Sequence, residues 1–559
     1  SLAKDLGRAM QEAIDEIGLD WTVEVRNGDT DPKQKARQSK QMPDVLLVTP
    51  ESLHLLLAQK GRERIFTPLR CIAVDEWHEL LGSKRGVMTE LALAYLKAQL
   101  PQLQTWGITA TIGSLDEALQ VLLPKQQKRI KIIAKEKKKI AIIPVFPEEV
   151  EVLPWAGHLG GRLVDQVVPI ILNSKSTIVF TNTRGQSEAW YQLLLDAYPD
   201  FAGQIAIHHS SIDGQIRQWI EEGLSEGKLK AVVSTSSLDL GVDFKPVDTV
   251  IQIGSSKGVA RFMQRAGRSG HSPFEVSNIY VVPTHSLELI EVAALKEAVK
   301  QQVIESREPV VQTFDVLVQF LITIALGGGF KAAELMPVIQ GTYAFQEMSA
   351  DEWQWCIAFI TVGGSIGKNY EEYHKVVQQE DGLLVVENRR IAMLHRMNVG
   401  VIVSDAMLKV KFISGGYIGM IEEYFITRLQ TGNKFILAGR VLELVRIKEM
   451  TVYVRSSSGK AITPSWLGGR LPLTSRLSHF LREKLALSNK PGSTEKELNF
   501  LHPLFARQKE VSHIPATDEF LVELIQTREG YHLFMYPFEG RLIHEVMAAL
   551  MAFRISRWP

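Results

Sequence analysis

From residue 40 to about 285, short β-branched apolar runs alternate with helix-like segments, and each run ends in a small polar cluster. The seven instances are "DVLLVTPESLHLLL", "RCIAVDEWHELL", "TWGITATIGS", "STIVFTNTRGQSEAWYQLLL", "AVVSTSSLDLGVDF", "VIQIGSS" and "NIYVVPTHSLELIEVAAL". Buried strands alternating with helices predict parallel, doubly wound sheets, in which ligands sit at the carboxyl ends of strands, where these clusters fall. The spacing suits two consecutive α/β domains, divided near "PVFPEEVEVLPWAGHLGG". After residue 290 the pattern changes to helices followed by a hairpin, "GLLVVENRRIAML", which suits a winged-helix module. From about 396 come Gly-punctuated strands, then helices expected at 471–486 and 539–556. The expected order is 1–140 and 141–290 as tandem α/β domains, 291–395 as a winged helix and 396–559 as an α+β domain.

Composition narrows this little. At 559 residues the chain exceeds one core, and 45% hydrophobic with 23% charged residues is ordinary for a globular protein. Two cysteines, Cys71 and Cys356, are too few for a disulfide framework or metal cluster and suggest a reducing, intracellular setting. The longest apolar stretch, "VLVQFLITIALGGGF", is too short and too interrupted to span a bilayer. Net charge is +0, but residues 125–139 carry eight Lys or Arg against one Glu, either a solvated face or a phosphate-contacting surface. The first residues, "SLAKDL", and the last, "RISRWP", read as cut ends.

Candidate chemistry starts at "VDEWHEL", where a strand runs into Asp75 and Glu76, with His78 two places on. Such carboxylates can hold magnesium and polarise a water beside a terminal phosphate, with His78 relaying the phosphate state to the neighbouring strand. An isolated acidic pair is more often a helix-terminus cap. Phosphate chemistry also needs a Gly-Lys-Ser/Thr loop, and none precedes the pair; "GGSIGKN" at 363–369 lies far after it and ends in Asn. In "QRAGRSGH", Gln264, Arg265 and Arg268 lie on a helical segment, from which arginines can stabilise a transferring phosphate. Gly241 and Asp243 are placed to touch a nucleotide. Thr49, Pro50 and Glu51, with Thr183, Arg184, Thr235 and Ser236, fall at strand-to-helix turns that suit backbone phosphates, although plain helix caps have the same residues. Trp466, in "PSWLGGR", suits a base-stacking platform or a buried loop pin, while Trp219, Trp353 and Trp355 fit a core.

In order, these segments resemble a superfamily 2 helicase: "SLAKDL", "TPESL", "DEWH", "TAT" with Thr109 and Thr111, "FTNTRGQSE", "TSSLDLGVDF" and "QRAGRSGH". "VRNGDT", "LPWAGHLG", "AIHHSSIDGQIR", "VARFMQRAGRSGH", "HRMNVGVI", "GMIEEYFI", "PSWLGGRLPLTSRL" and "PFEGRLIHEVMAAL" resemble the large-helicase-related (Lhr-type) group, specifically the bacterial ligase-associated DEXH-box helicases. That resemblance implies two RecA-like domains, a winged helix and an Lhr-type C-terminal domain gripping single-stranded DNA. It implies Asp75 and Glu76 as Mg2+ and catalytic residues and His78, Gly241, Asp243, Gln264, Arg265 and Arg268 around ATP. Thr109 and Thr111 would couple nucleotide to strand. It also implies ATP-driven 3′ to 5′ translocation and duplex unwinding in DNA repair, beside an ATP-dependent ligase and a metallo-β-lactamase-fold nuclease, in the bacterial cytoplasm at the nucleoid. His271 stands where many superfamily members carry a further arginine, so the finger role falls to Arg268 with Arg265 as helper. Without a phosphate loop, the expectation for these residues alone is little ATP hydrolysis. The alternatives are a non-catalytic nucleic-acid-binding scaffold and a helicase acting on RNA or RNA:DNA hybrids.

Overall fold

The computed structural model describes residues 2–109, 112–123, 128–133, 139–148, 161–239, 247–270, 276–363, 374–400, 407–448, 451–462, 473–488, 494–528 and 530–557. Thr111, Gly241, Asp243, His271 and Trp466 therefore lie outside the described residues, as do "LPWAGHLG", most of "GGSIGKN" and much of the basic stretch. The chain divides into two units that interleave in sequence. One comprises residues 1–133 with 306–403, the other 134–305 with 404–559. The first α/β segment thus shares a unit with the winged helix, an association that local periodicity does not reveal.

In the first unit the strands form two parallel pairs, Val23–Arg26 with Val45–Val48 and Cys71–Val74 with Gln104–Gly107. Their helices share one core with the winged-helix segment, whose helix Phe314–Leu326 buries ten of its thirteen residues. Apolarity all round marks a buried helix, which accounts for the longest hydrophobic stretch. No helix among the described residues is long and apolar enough to cross a membrane. Strands Phe330–Lys331, Leu383–Val385 and Val377–Gln378 make the small antiparallel sheet. The expected hairpin is only half present. "RRIAML" is helical within Arg389–Met397, because the Asn388 side chain accepts from the Arg390 and Ile391 amides and starts a helix there.

Two tryptophans also depart from expectation. Trp353 is 2% exposed, but Trp355 on the same helix is 52% exposed and Trp219 is 61% exposed. Positions two apart on a helix point to nearly opposite faces, so Trp353 and Trp355 cannot both enter one core.

The second unit is built on a six-stranded parallel sheet in the order Ile140–Pro144, Ser277–Val282, Thr249–Ile253, Thr177–Phe180, Ala231–Ser234, Ile205–His208. Every residue of the four strands Thr177–Phe180, Ile205–His208, Ala231–Ser234 and Thr249–Ile253 is buried. Helices cover both faces, which is why these strands read as continuous Val/Ile runs. A five-stranded sheet follows, in the order Tyr417–Glu422, Met407–Phe412, Thr451–Ser456, Arg440–Lys448, Lys434–Leu437. The expected closing helices span Ser475–Leu487 and Arg541–Ile555. Gly419 is fixed by close approach, since a Cβ there would lie 2.1 Å from the Ser211 carbonyl oxygen.

Candidate functional site

Each polar cluster lies at the carboxyl end of its strand. In the first unit, Asp75 follows the strand Cys71–Val74, and Thr109 lies just beyond its parallel partner Gln104–Gly107. Glu76 adopts the left-handed conformation, φ 48° and ψ 40°, which costs a non-glycine residue about 1–2 kcal/mol. Strain of that kind persists only where surroundings enforce it. Here the Glu76 amide donates to Asp75 Oδ1 at 2.9 Å and the Trp77 amide to the Ile108 carbonyl at 3.0 Å.

His78 is buried and joins the two strand ends. Its Nδ1 lies 3.0 Å from Thr109 Oγ1 and 3.4 Å from Glu76 Oε2. On the other side Glu79 Oε1 lies 3.6 Å from Nε2 and accepts from Arg307 Nη2 at 2.6 Å. Burial pushes the imidazole below its ordinary pKa, Glu79 opposes that shift and Arg307 assists it. A neutral His78 therefore links the acidic box to Thr109, while Arg307 holds Glu79. The sequence reading missed Arg307, which lies 228 residues from Glu79.

Asp75 is exposed, as a carboxylate sharing a magnesium ion with phosphate and water must be. Among the described residues no group of three or more Asp, Glu, His or Cys is placed to hold a metal ion. Thr49 caps the helix Pro50–Leu57 by accepting from the Ser52 amide at 3.3 Å. The Glu51 carboxylate is held by Arg85, with contacts of 2.7 and 3.2 Å.

In the second unit the strands Thr177–Phe180 and Ala231–Ser234 are adjacent and parallel, which sets the Thr183–Arg184 and Thr235–Ser236 turns side by side. Thr183 accepts from the Gln186 amide at 3.1 Å, and Ser236 is exposed. The two arginines differ. Arg265 is 1% exposed; it donates to Asp239 Oδ1 at 2.8 Å, Asp239 Oδ2 at 3.3 Å and Gln252 Oε1 at 2.6 Å, and its guanidinium stacks 4.8 Å over the Phe180 ring. Arg268 is half-buried, like Gln264, and donates to the Asp239 carbonyl at 3.0 Å. The expectation that both arginines reach outward is corrected for Arg265, whose donors are committed inside the unit. Asp239, in the segment "TSSLDLGVDF", is the hub that sequence reasoning passed over.

Two further carboxylates position these elements. Glu305 accepts from the Val259 and Ala260 amides at the start of the arginine helix Val259–Ala266, and from Thr474 Oγ1 at 2.8 Å. An acceptor at a helix N-terminus satisfies orphan amides and the macrodipole. Glu305→Ala is expected to destabilise the second unit by about 1–3 kcal/mol, read as a lower denaturant midpoint of that transition, with Glu305→Gln losing less. Glu188, buried in the "TNTRGQSE" helix, meets His209 Nε2 at 3.0 Å and accepts from the Ala438 and Gly439 amides at 2.6 and 2.9 Å. It ties the five-stranded sheet to the parallel one.

Comparison with known proteins gives this arrangement a family. Residues 1–118 match the DEAD/DEAH box helicase model, 162–272 the helicase conserved C-terminal domain, 297–464 the winged helix domain of large helicase-related protein and 514–558 the DEAD/H associated domain. The chain belongs to the Lhr family of superfamily 2 helicases. It is 29% identical to the ATP-dependent helicase Lhr-Core protein 2 of Thermococcus barophilus, over 98% of this chain and 66% of that one. It is 32% identical to the ATP-dependent helicase Lhr-Core of Sulfolobus acidocaldarius, over 85% of this chain and 55% of that one. Both are archaeal, where the sequence resemblance pointed to a bacterial subgroup. The structure of Mycobacterium smegmatis helicase Lhr bound to ssDNA and AMP-PNP shares the fold, with TM-score 0.76 and 23% identity over 96% of this chain and 69% of that one. The Lhr winged-helix match runs through the five-stranded sheet, as far as residue 464.

Proposed function

We propose that this chain is the motor portion of an ATP-dependent DNA helicase that translocates 3′ to 5′ on single strands and serves DNA repair. The observation carrying this reading is the placement of the strained Asp75–Glu76 turn, linked through His78 to Thr109. A buried Arg265–Asp239 pin presents Arg268 in the other unit. Bound ATP with Mg2+ supplies a phosphoanhydride to be cleaved and a Lewis acid on its phosphates. Asp75 would hold that ion and Glu76 would polarise the attacking water. Arg268 would neutralise charge developing on a phosphoryl group, with Gln264 beside it. Thr109 senses the Glu76 side through His78, while Thr49, Thr183, Arg184, Thr235 and Ser236 hold backbone phosphates without reading bases. An ATP-dependent ligase and a metallo-β-lactamase-fold nuclease are the proposed functional associates.

The 559 residues contain no Gly-Lys-Ser or Gly-Lys-Thr, which favours a second reading for these residues by themselves, nucleic-acid binding without turnover. The test measures binding of a labelled single strand and ATP turnover with and without it. Binding that weakens steeply with salt, with little turnover, is expected. Robust turnover would overturn the requirement for the lysine loop, and no binding at low salt would overturn the motor reading.

A further inference from the structure

A cavity of about 380 Å³ opens in the first unit between the small sheet and the helix Arg389–Met397. Lys60, Arg389 and Arg396 line it over an apolar floor that includes Leu326 and Val386, and Glu387 is its one acid. Lys60, Arg389 and Arg396 thus outnumber Glu387 three to one in the lining. Of the three, Arg396 also acts on the unit's interior. Burial, then Lys375, His54 and Arg396, hold the neighbouring His395 down to about 4.

Arg389 and Arg396 stand seven residues apart, two turns on one helix face and about 10 Å along its axis. A polymer carrying a phosphate at each step can meet both at successive phosphates. Arg396 is aimed by its own hydrogen bond, Nη2 to the Ala58 carbonyl at 3.4 Å, at the end of the helix Pro50–Leu57. The eight residues of that helix span about 12 Å, so Lys60 and Arg396 lie at the opposite end from Thr49. The groove and the Thr49 turn must therefore meet different stretches of backbone.

We propose that this groove is a second phosphate-backbone site for nucleic acid, separate from the strand-end turns, in which Lys60, Arg389 and Arg396 contact successive phosphates. Planar guanidinium groups suit phosphate oxygens, and the apolar floor strengthens the field above it. The proposal rests on the nucleic-acid motor reading and extends it to a new surface.

The experiment compares the wild-type chain with Lys60→Glu/Arg389→Glu, whose side chains are exposed and make no salt bridge among the described residues. Lys300→Glu/Lys496→Glu is the equal-charge control. Anisotropy is measured for a labelled single strand, and for the same strand carrying a duplex arm, across a salt series. The groove variant is expected to bind at least about tenfold more weakly, with the log–log salt slope shallower by about 0.7–0.9 for each phosphate it no longer neutralises. Weakening confined to the armed probe assigns the groove to duplex backbone, and weakening on both probes assigns it to the single strand. Wild-type binding with unchanged affinity and slope in a folded groove variant overturns the groove alone. Failure of the wild type to bind either probe overturns the motor reading with it. Competition by millimolar inorganic phosphate, relieved in the variant with nucleic-acid affinity intact, replaces the backbone site with a free-phosphate site.

Discussion

Arg265→Met is expected to destabilise the second unit by about 3–5 kcal/mol, read as a lower denaturant midpoint of that unit's transition. The substitution leaves the Asp239 carboxylate, itself 4% exposed, without the fork that now meets both its oxygens, and Gln252 Oε1 loses the donor at 2.6 Å. Arg261 Nε stands 3.7 Å from Asp239 Oδ2 and cannot replace a bidentate contact. Removing one partner of a buried pair costs far more than removing both, so Arg265→Met/Asp239→Leu should recover a substantial part of the loss. Arg268→Ala, which removes a hydrogen bond to a carbonyl and not one arm of a buried ion pair, should shift the same transition by less than Arg265→Met does. Denaturant melts with two probes, one for each unit, separate these outcomes. A shift below about 1 kcal/mol for Arg265→Met would overturn its role as the pin of Asp239 and Gln252.

The contrast between Arg265 and Arg268 marks where sequence reading stops. Strands such as Ala231–Ser234 and Thr249–Ile253 were legible because burial on both faces leaves an unbroken Val/Ile signature, and the strand-end clusters follow from the architecture. Spacing put both arginines on one helical segment, whereas the helix Val259–Ala266 ends before Arg268, and spacing carried no sign that Arg265 turns inward, since that depends on Asp239 and Phe180 arriving from elsewhere in the chain. Glu305 meets Thr474 across 169 residues and Glu188 meets Ala438 across 250, and no local pattern announces either contact. The winged-helix strands Phe330–Lys331 and Val377–Gln378 have two residues each, too few for any period to show. The missed half of the hairpin has the same origin. One cap by Asn388 outweighs the β-like look of "RRIAML".

Stability of the first unit should pass through a maximum near pH 6.5. Two buried groups, Glu90 and His54, and the half-buried His395 set the limbs. Burial raises Glu90 to about 8 although its carboxylate accepts from the Ala344 and Tyr343 amides. Burial lowers His54 to about 4 against the pull of the Met88 carbonyl and Glu51. His395 falls to about 4 through burial and the charges of Lys375 and Arg396, with Thr323 Oγ1 at 2.8 Å from its Nε2. A carboxyl held neutral in the fold contributes stability that is full below its ordinary 4.5 and is lost as pH climbs toward 8. The neutral imidazoles contribute stability that is present above 6.5 and is lost as pH falls toward 4. Each group carries about 1.4 kcal/mol per pH unit. Between pH 4.5 and 6.5 two histidines oppose one glutamate, so stability climbs with pH; from 6.5 to 8 the glutamate acts alone and about 2 kcal/mol is lost. His78, also lowered by burial, steepens the acid limb, while the lowered acids Glu24, Asp44 and Glu51 titrate beneath this window. Denaturant midpoints of the first unit between pH 5 and 8 report the profile. Glu90→Gln, which keeps an amide oxygen for the Ala344 N–H, should flatten the alkaline limb and leave the acid limb in place. A midpoint that keeps rising from pH 6.5 to 8 in the wild type would show that Glu90 is ionised in the fold, with its charge answered by those two amides.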